Sequence, residues 1–432
     1  MAVRAIPPGD PDRSAVDLDG LVDTFRRRYH LPVVDHIVLA LATVVANRMP
    51  GPAVWLAIVG QSSGGKSTLL EALETLDDVH PIDDVSVAGL LSGSQGRDDS
   101  ATGGVLAQAG DRDTLMISDM STITDMHHEA RGRFMAALRR VYDGSYTRAV
   151  GTAGGRSFAW GGDGRKIGFL GGAVDLDEAV GMMGALGQRF VLYRLAEVDD
   201  LDAVAMAAAA EANRGDEEAA RAEARQAVVE LLDGLGDLSG RRPTHGHDVA
   251  ALAGLAHLAG ALRGGVKRDP RTREFEDRIP PEAPARLVKV LGQLLAAMDV
   301  LGVEADEAWR LAGKVALDGC PDRRRRVLQV LLGAGGRLST AHVAAAVSVP
   351  STSAVRRDLE DLTAHGLVEL LPEAGQHWWR PTDGARQRWE RFFGQPDAVE
   401  PDDEAATAAE VAALEAALGL QAVPYDPLDE DF

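Results

Sequence analysis

The chain has 432 residues, a formal net charge of −21 and a hydrophobic fraction of 45%. That length predicts about two to four domains, and the hydrophobic fraction is sufficient to form their cores. The single cysteine, Cys320, excludes a disulfide framework and a cysteine-ligated zinc site, and it is typical of a reducing cytoplasm. The N-terminal sequence lacks the apolar segment of a signal peptide, and the longest apolar run, Ile37 to Ala46, is about half a membrane span. We therefore expect a cytoplasmic protein with no membrane partner.

The negative charge is concentrated at one end of the sequence. Residues 397–432 contain eleven acidic residues and no basic one, whereas residues 322–395 contain eleven arginines and eight acids. The overall acidity therefore does not exclude nucleic acid as a partner of the folded part of the chain.

The predicted elements begin with residues 1–15, which are rich in Pro, Asp and Arg and are expected to be disordered, and with two helices between Leu18 and Met49. The segment from Val54 to Thr68, VWLAIVGQSSGGKST, follows and contains a phosphate-binding motif of the form G-x-x-x-x-G-K-[ST], with a strand pattern before it and a helix pattern after it. Its glycines allow backbone N–H groups to surround phosphates, and the amino end of the helix favours an anion. Lys66 would reach the β- and γ-phosphates, and the Ser67 hydroxyl would hold Mg²⁺. The predicted nucleotide site consists of Gly60, Gln61, Ser62, Ser63, Gly64, Gly65, Lys66, Ser67 and Thr68.

Strands and helices alternate as far as Leu195. The predicted elements are a strand over Leu115–Asp119, a helix over Arg133–Tyr142, and strands over Lys166–Gly171 and Phe190–Leu195. Alternation of this kind after a phosphate loop predicts a three-layer α/β sandwich with a mostly parallel sheet over residues 16–195. Residues 196–320 are rich in Ala, Leu, Glu and Arg, and they predict a helical lid or bundle.

Residues 321–394 predict a winged helix-turn-helix, because three helices, two of them capped by serine, precede two apolar strands. These elements are Val327–Leu332, Ser339 with Thr340–Val347, Ser351 with Ser353–Ala364, Leu367–Leu371 and His377–Arg380. Residues 395–432 are predicted to form an acidic, disordered tail.

The second half of a nucleotide site requires an acid on a neighbouring strand that helps to hold the metal. Asp119, which ends a mostly apolar strand, is the candidate. Many ATPases place a glutamate after this acid to polarise water, but Met120 stands there. Asp125 or Glu129 could take that role, or both could be ordinary surface charges.

The order of these motifs resembles AAA+ ATPases of the helicase branch, which include the minichromosome-maintenance and phage or plasmid primase-helicase proteins. The resemblance rests on the phosphate loop, LMISD (Leu115 to Asp119), the glycine-rich stretch Tyr146 to Trp160, KIGFLGGAVD (Lys166 to Asp175) and LGQRFVLYRL (Leu186 to Leu195). It covers about residues 35–315 and is greatest with ATP-binding proteins of actinobacterial phages and integrated elements.

This resemblance implies roles for several residues. Arg189 falls where the family places an arginine finger that reaches the γ-phosphate of a neighbouring subunit, and Arg286 matches a lid arginine that senses the γ-phosphate. The stretch from Tyr146 to Trp160 matches a hairpin that contacts DNA, so Arg148 and Arg156 would meet phosphates. The polar residue that helps to place water would fall between Gly171 and Ala173, where no suitable side chain exists.

The third helix of the winged unit carries the other candidate DNA contacts. Ser353, Arg356 and Arg357 lie near its start, and Arg380 lies on the wing. Three acids on the same helix, Asp358, Glu360 and Asp361, would repel DNA, so a protein-interaction module is the alternative. The run from Arg323 to Arg326 is either a second DNA-facing patch or the solvated start of a helix.

The sequence leaves two functions open. The first is an oligomeric AAA+ ATPase, expected to form a ring, that uses Mg²⁺ and ATP to act on DNA as a helicase or remodelling motor in mobile-element replication. The alternative is an ATP-gated DNA-binding regulator or initiator with weak or no hydrolysis, as Met120 suggests. The terminal DPLDEDF resembles the tip of bacterial single-stranded-DNA-binding proteins, so the tail either recruits a replication partner or serves only as a solubilising segment.

Overall fold

The computed structural model describes residues 16–61, 66–83, 86–91, 103–150, 156–174, 189–198, 200–241, 248–272, 274–373 and 376–398, without the side chains of residues 149, 150 and 156–158. The predicted disordered segment 1–15 and residues 399–432 of the predicted tail lie outside the described residues.

The chain divides into two units. The first contains Met1–Leu252 and Ala285–Gly319, and the second contains Ala253–Pro284 and Cys320–Phe432. The region 196–320, for which we expected a helical lid or bundle, is divided between the two units. Residues 253–284 belong to the second unit because Arg324 donates to the carbonyl oxygens of Leu262 and Gly264, and Arg268 binds the acids of a helix in that unit.

The first unit is built on a five-stranded parallel sheet, as the alternating pattern predicts. The strands of this unit are β1 (Trp55–Val59), β2 (Val79–Pro81), β3 (Thr114–Ile117), β4 (Ser145–Val150), β5 (Arg156–Gly161), β6 (Gly168–Ala173) and β7 (Phe190–Arg194). The order in the sheet is β2-β3-β6-β1-β7, and every neighbouring pair is parallel. Strands β4 and β5 form a separate antiparallel hairpin.

The helices up to residue 319 precede, connect and follow these strands along the chain. They are α1 (Leu18–Arg28), α2 (Asp35–Arg48), α3 (Lys66–Leu73), α4 (Val87–Leu90), α5 (Val105–Gln108), α6 (Ser121–Thr124), α7 (His128–Tyr142), α8 (Asp200–Ala212), α9 (Glu217–Gly234), α10 (Val249–Arg263), within which the two units divide, α11 (Ala285–Val300) and α12 (Ala305–Asp318). None of the helices that the structure describes combines the length and the apolar character that a bilayer span requires.

Helix α2 is almost entirely buried between the sheet and α11, and polar groups near its C-terminal end are hydrogen-bonded within the core. The side-chain amide of Asn47 accepts from Val54 N at 2.8 Å and donates to Val54 O at 3.1 Å, so it fixes the entry to β1. Gln293 of α11 donates to Ala46 O at 2.9 Å. Because unpaired buried amides are costly, these bonds determine how α2 and α11 pack beside β1.

The second unit combines short helices with two small antiparallel sheets. Its elements after α10 are β8 (Val266–Arg268), β9 (Phe275–Arg278), α13 (Asp322–Gly333), β10 (Leu338–Ser339), α14 (Thr340–Ala346), α15 (Thr352–Ala364), β11 (Val368–Glu373), β12 (Gln376–Pro381) and α16 (Asp383–Phe393). Strands β10, β12 and β11 form one sheet in that order, and β8 pairs with β9. Ser339 and Ser351 cap α14 and α15 as predicted, since their hydroxyls accept from His342 N and Ala354 N.

The acids of α15 are engaged inside this unit. Asp358 binds Arg323, Asp361 binds both Arg268 and Arg324, and the carboxyl groups of Asp358 and Asp361 are less than a tenth exposed. The expectation that the acids of α15 repel DNA is therefore wrong for Asp358 and Asp361, which face α13 and the β8–β9 hairpin, whereas Glu360 is a third exposed and also pairs with Arg356.

The run from Arg323 to Arg326 forms the first turn of α13, as one of its two interpretations predicts, with Arg323 and Arg326 exposed, but all four guanidiniums have acidic partners within the unit. Arg323 and Arg324 bind the α15 acids, Arg325 and Arg326 bind Asp322, and Arg326 also donates to Val347 O at 3.1 Å.

Replacing Asp361 with Asn should destabilise the second unit. Arg268 and Arg324 would lose their shared carboxylate while largely buried, and such a loss costs about 3 kcal/mol. Urea denaturation of the full chain, followed by circular dichroism, measures the change in the free energy of unfolding. The control is Glu369→Gln, which breaks the exposed pair with Arg380 and should leave unfolding unchanged. Equal effects of the two variants would contradict this account of α15.

Candidate functional site

The first unit contains a crevice where the chain leaves two neighbouring strands in opposite directions. The connection after β1 leads to β2 at one end of the sheet, whereas the connection after β6 leads to β7 at the other end. In open parallel sheets, ligands bind outside the carboxyl ends of the strands at such a switch point. We call the carboxyl ends of β1 and β6 the Lys66 edge, because Lys66 lies there.

Lys66 connects the two strands of this crevice. Its ammonium group donates to Gly60 O, to Gln61 O at 3.1 Å and to Ala173 O at 3.0 Å, and the residue is only 7% exposed. Burial lowers the pKa of Lys66, and the nearby charge of Asp119 opposes that shift. In these contacts the buried ammonium binds only uncharged carbonyl oxygens. An anion bound beside Lys66 would therefore supply the negative charge that the site lacks.

The residues predicted to hold a metal lie at the same edge. Ser67 and Asp119 are both exposed, and Asp119 acts electrostatically on Lys66. One Asp119 oxygen accepts from Ser121 N at 2.9 Å, so it is held at the start of α6. Magnesium bound to a nucleotide takes one or two protein ligands together with phosphate oxygens and water, and a hydroxyl and a carboxylate at this edge fit that requirement. Ser62, Ser63, Gly64 and Gly65 lie outside the described residues.

Met120 is directed into the core and away from the crevice. It is 3% exposed, and its backbone N–H donates to Gly172 O at 2.7 Å. A Cβ at Gly171 would lie 2.5 Å from the Met120 sulfur, and a Cβ at Gly172 would lie 2.5 Å from the backbone oxygen of Ser118. These glycines leave no room for the water-placing side chain that the resemblance implies.

Neither of the two acids proposed as substitutes for the missing glutamate has a described contact with Asp119 or Lys66. Asp125 is the exposed cap of α6, and Glu129 pairs with Arg133 on α7 at 2.5 Å. Glu74 is a carboxylate that the sequence reasoning missed, and it accepts from the Ser118 hydroxyl at 3.2 Å, next to Asp119. The sequence gives no signal for it, because it follows α3 and meets Ser118 only in the folded chain.

The start of α2 brings a second unpredicted group to the Lys66 edge. His36 is 1% exposed, and neither ring nitrogen has a hydrogen-bond partner among the described residues. Burial lowers its pKa to about 4, with smaller effects from Asp35 and Lys66, so His36 is neutral at physiological pH. Tyr29, in the loop before α2, lies close to Thr68: burial raises the pKa of Tyr29, and the Thr68 side chain is among the groups that oppose this.

Arg189 lies at the opposite edge of the sheet, which we call the Arg189 edge. It precedes β7, binds both oxygens of Asp143 at 3.0 and 3.1 Å, and lies 5.4 Å from the ring centroid of Tyr142. The Tyr142 ring packs 5.1 Å from Trp55, the first residue of β1. Burial raises the pKa of Tyr142, and the charges of Arg286 and Arg189 oppose this, so Arg286 lies at the same edge. Neither arginine is placed with Lys66 of its own chain.

The β4–β5 hairpin forms where the glycine-rich stretch predicts it, but Arg148 is not directed toward solvent. Its guanidinium is part-buried and donates to Leu91 O at 2.7 Å and to Val87 O at 3.5 Å. The side chain of Arg156 and the turn at residues 151–155 lie outside the described residues.

The candidate DNA contacts of the second unit are exposed. Ser353, Arg356 and Arg357 lie on the first turns of α15, and Arg380 lies on β12. Arg356 pairs with Glu360 at 3.1 Å and Arg380 pairs with Glu369 at 2.5 Å, both at the surface, where such pairs contribute little.

The comparisons with known proteins add no relative. No protein-family model matches the chain, and no curated protein matches it. Its function must therefore be argued from the geometry of these two edges and of the second unit.

Replacing Met120 with Glu should destabilise the first unit, because it places a carboxylate among apolar side chains. We expect the free energy of unfolding to fall by at least about 2 kcal/mol. Met120→Leu, which conserves volume, should cost less than about 1.5 kcal/mol. Urea denaturation of both variants tests this, and wild-type stability in Met120→Glu would mean that the side chain at position 120 faces the crevice instead.

Proposed function

We propose that the chain is a P-loop ATPase of the AAA+ helicase branch that acts on DNA as an oligomer. The observation that carries this proposal is the position of Lys66, a buried ammonium at the switch point of a parallel sheet, preceded in sequence by the phosphate-binding motif. The neutral His36 borders Lys66 from within the core, and the partly exposed Tyr29 in the loop before α2 is available to a nucleotide base or ribose.

The residues of the Lys66 edge have separate roles in this proposal. Lys66 exchanges its carbonyl contacts for the β- and γ-phosphates, while Ser67 and Asp119 hold the metal. Bound Mg²⁺ would supply charge neutralisation for the phosphate oxygens. Glu74, through Ser118, is the candidate for orienting water, since Met120 cannot do so.

Arg189 and Arg286 support an assembly in which each ATP site lies between two subunits. Both arginines lie at the edge opposite to Lys66 of their own chain, so only a neighbouring copy could bring them to its phosphates. In a head-to-tail arrangement, the Arg189 edge of one copy meets the Lys66 edge of the next, and closure of such contacts gives a ring. Arg189 would leave or share its pair with Asp143 on assembly.

Helix α8 supplies the Lys66 edge with an apolar surface for that neighbour. None of its residues is buried, and Leu201 and Val204 are 82% and 70% exposed. The helix is attached beside the nucleotide site, because Asp202 binds His30 at 2.7 Å and Asn213 donates to Arg28 O, next to Tyr29. Exposed apolar surface of this kind is typical of protein interfaces.

The second unit supports the DNA half of the proposal. Its three-helix and three-strand arrangement fits a winged helix, with α15 as the recognition helix. The exposed start of α15 carries Ser353, Arg356 and Arg357, while Asp358 and Asp361 are turned inward to other arginines. The expected setting is mobile-element replication in the cytoplasm, and recruitment of a replication partner by the acidic tail stays a prediction.

A second function, an ATP-gated DNA-binding regulator or initiator, is favoured by one observation. Met120 and Gly171 occupy the positions from which water would be activated, and Met120 packs into the core. In this alternative, ATP orders the assembly and hydrolysis is slow or absent.

ATP turnover, with and without single- and double-stranded DNA, tests the proposal and separates it from the alternative. We expect DNA-stimulated turnover that is lost in Lys66→Ala and in Arg189→Ala, because each variant removes one half of every site. Mixing the two inactive variants should restore about a quarter of wild-type turnover, since random pairing joins an intact Lys66 edge to an intact Arg189 edge.

Asp143→Asn is the matched control for Arg189→Ala. It removes the partner of Arg189 and leaves the arginine in place, so it should retain turnover if Arg189 acts on a neighbour's phosphate. Equal turnover in Arg189→Ala and the wild type would contradict the intersubunit site. ATP-dependent duplex binding without turnover would favour the regulator.

Substitutions on α8 should weaken assembly without preventing folding. We expect Leu201→Gln with Val204→Gln to shift the oligomer toward monomer in analytical ultracentrifugation and to lower turnover most at low protein concentration. Ala210→Gln, on another exposed side of the same helix, should leave both unchanged. Wild-type assembly of the double variant would exclude α8 from the interface.

A further inference from the structure

The first unit contains a cavity of about 650 Å³, distinct from the Lys66 edge, between α4, α7 and the base of the β4–β5 hairpin. Its volume lies within the range of about 300 to 1,000 Å³ that is usual for small-ligand sites. The polar side chains that line it are Ser86, Arg133, Arg140, Tyr146 and Arg148.

The charge of this cavity is positive. Three guanidinium groups line it, and none of the described lining residues is acidic. Arg133 pairs with Glu129, but both side chains are more than two-thirds exposed, so the pair is weak. Arg140 makes a long contact of 3.4 Å with the Ser145 hydroxyl. Both guanidiniums therefore retain N–H groups for an anion.

The remaining wall is apolar and built from short side chains. Ala130, Ala136 and Ala137 of α7 face Val87 and Met126, so the helix presents open space between its arginines. Sites for single-stranded nucleic acid combine a positively charged groove with aromatic side chains against which unpaired bases pack. Here the arginines supply the charge, and Tyr146 is the aromatic residue among those that line the cavity. Duplex DNA, which keeps its bases stacked inside, could not place a base in a cavity of this volume.

Arg148 has a structural role in the cavity in addition to its positive charge. Its bonds to Leu91 O and Val87 O connect β4 to α4, so the hairpin forms one wall and α4 the other. This differs from the expectation that Arg148 reaches DNA from the hairpin surface. The exposed arginines of α7 are better placed for that contact.

We propose that this cavity binds single-stranded DNA, with Arg133 and Arg140 on phosphates and a base against Val87, Met126 and the α7 alanines. The proposal rests on the proposed function for the identity of the polymer. It adds a DNA site on the ATPase unit itself, separate from α15.

Fluorescence anisotropy of the full chain with a labelled thymidine oligonucleotide, over a series of salt concentrations, tests the cavity. Arg133→Ala and Arg140→Ala should each weaken binding about tenfold, and each should reduce the slope of log affinity against log salt by about 0.7. Arg139→Ala is the matched control, because Arg139 is exposed on the same helix and does not line the cavity.

A bulky substitution separates occupancy of the cavity from general attraction by charge. Ala136→Met fills part of the space from an exposed position, and it should weaken binding while the salt slope stays unchanged. If wild-type chain binds the oligonucleotide and all three cavity variants match Arg139→Ala, the cavity is excluded while the proposed function stands.

Two further outcomes would overturn the inference in distinguishable ways. If free deoxynucleotide, at the same phosphate concentration as the oligonucleotide, displaces the labelled oligonucleotide, the cavity binds a small anion and not a DNA strand. Absence of oligonucleotide binding by the wild type, with ATP binding through Lys66 intact, would remove the DNA half of the proposed function together with the cavity.

Discussion

The buried ammonium of Lys66 is the constraint on which the proposed site of the first unit depends. It joins the carboxyl ends of β1 and β6 through carbonyl oxygens of Gly60, Gln61 and Ala173, and burial lowers its pKa. Carbonyl dipoles compensate a buried charge only in part, so this arrangement retains an affinity for an anion. Gly60, whose carbonyl oxygen Lys66 binds, packs closely against the residue that follows β7, because a Cβ there would lie 2.7 Å from the Leu195 side chain.

The parallel sheet separates the charged groups of this unit into two edges. A strand of five residues is about 17 Å long, so groups before β7 and groups after β1 cannot meet within one chain. The resemblance to AAA+ proteins assigns Arg189 and Lys66 to one reaction, and the sheet places them at opposite ends. The two statements agree only if a second copy contributes one of the groups. The exposed apolar face of α8 beside the Lys66 edge is consistent with that requirement under the proposed function.

Local sequence patterns predicted many of the helices and strands. They could not predict contacts between residues that are far apart in the sequence. The β1 and β7 strands, the caps Ser339 and Ser351 and the parallel sheet follow from apolar runs and capping chemistry that lie within a few residues. The β8–β9 hairpin was missed because its strands are short and charged. Arg268 of this hairpin binds Glu360 and Asp361, which are about ninety residues away in the sequence. The same limit explains the error about the α15 acids. A run of arginines and a cluster of acids each look solvated until the topology brings them together.

The position after Asp119 shows how packing and chemistry compete for one residue. Met120 fills the space beside Gly171, and its backbone holds the end of β6 through Gly172 O, so this position belongs to the core. A glutamate there would have to leave that core to reach a phosphate, and the strand end would lose its packing. Any group that activates water must therefore come from outside this position. Under the proposed function, Glu74, which accepts from the Ser118 hydroxyl next to Asp119, is the candidate in the same chain, and a neighbouring copy could supply another. Under the same proposal, nucleotide binding and hydrolysis would depend on different parts of this fold, because carbonyl groups at the end of the sheet hold Lys66 whereas no water-activating group stands at position 120.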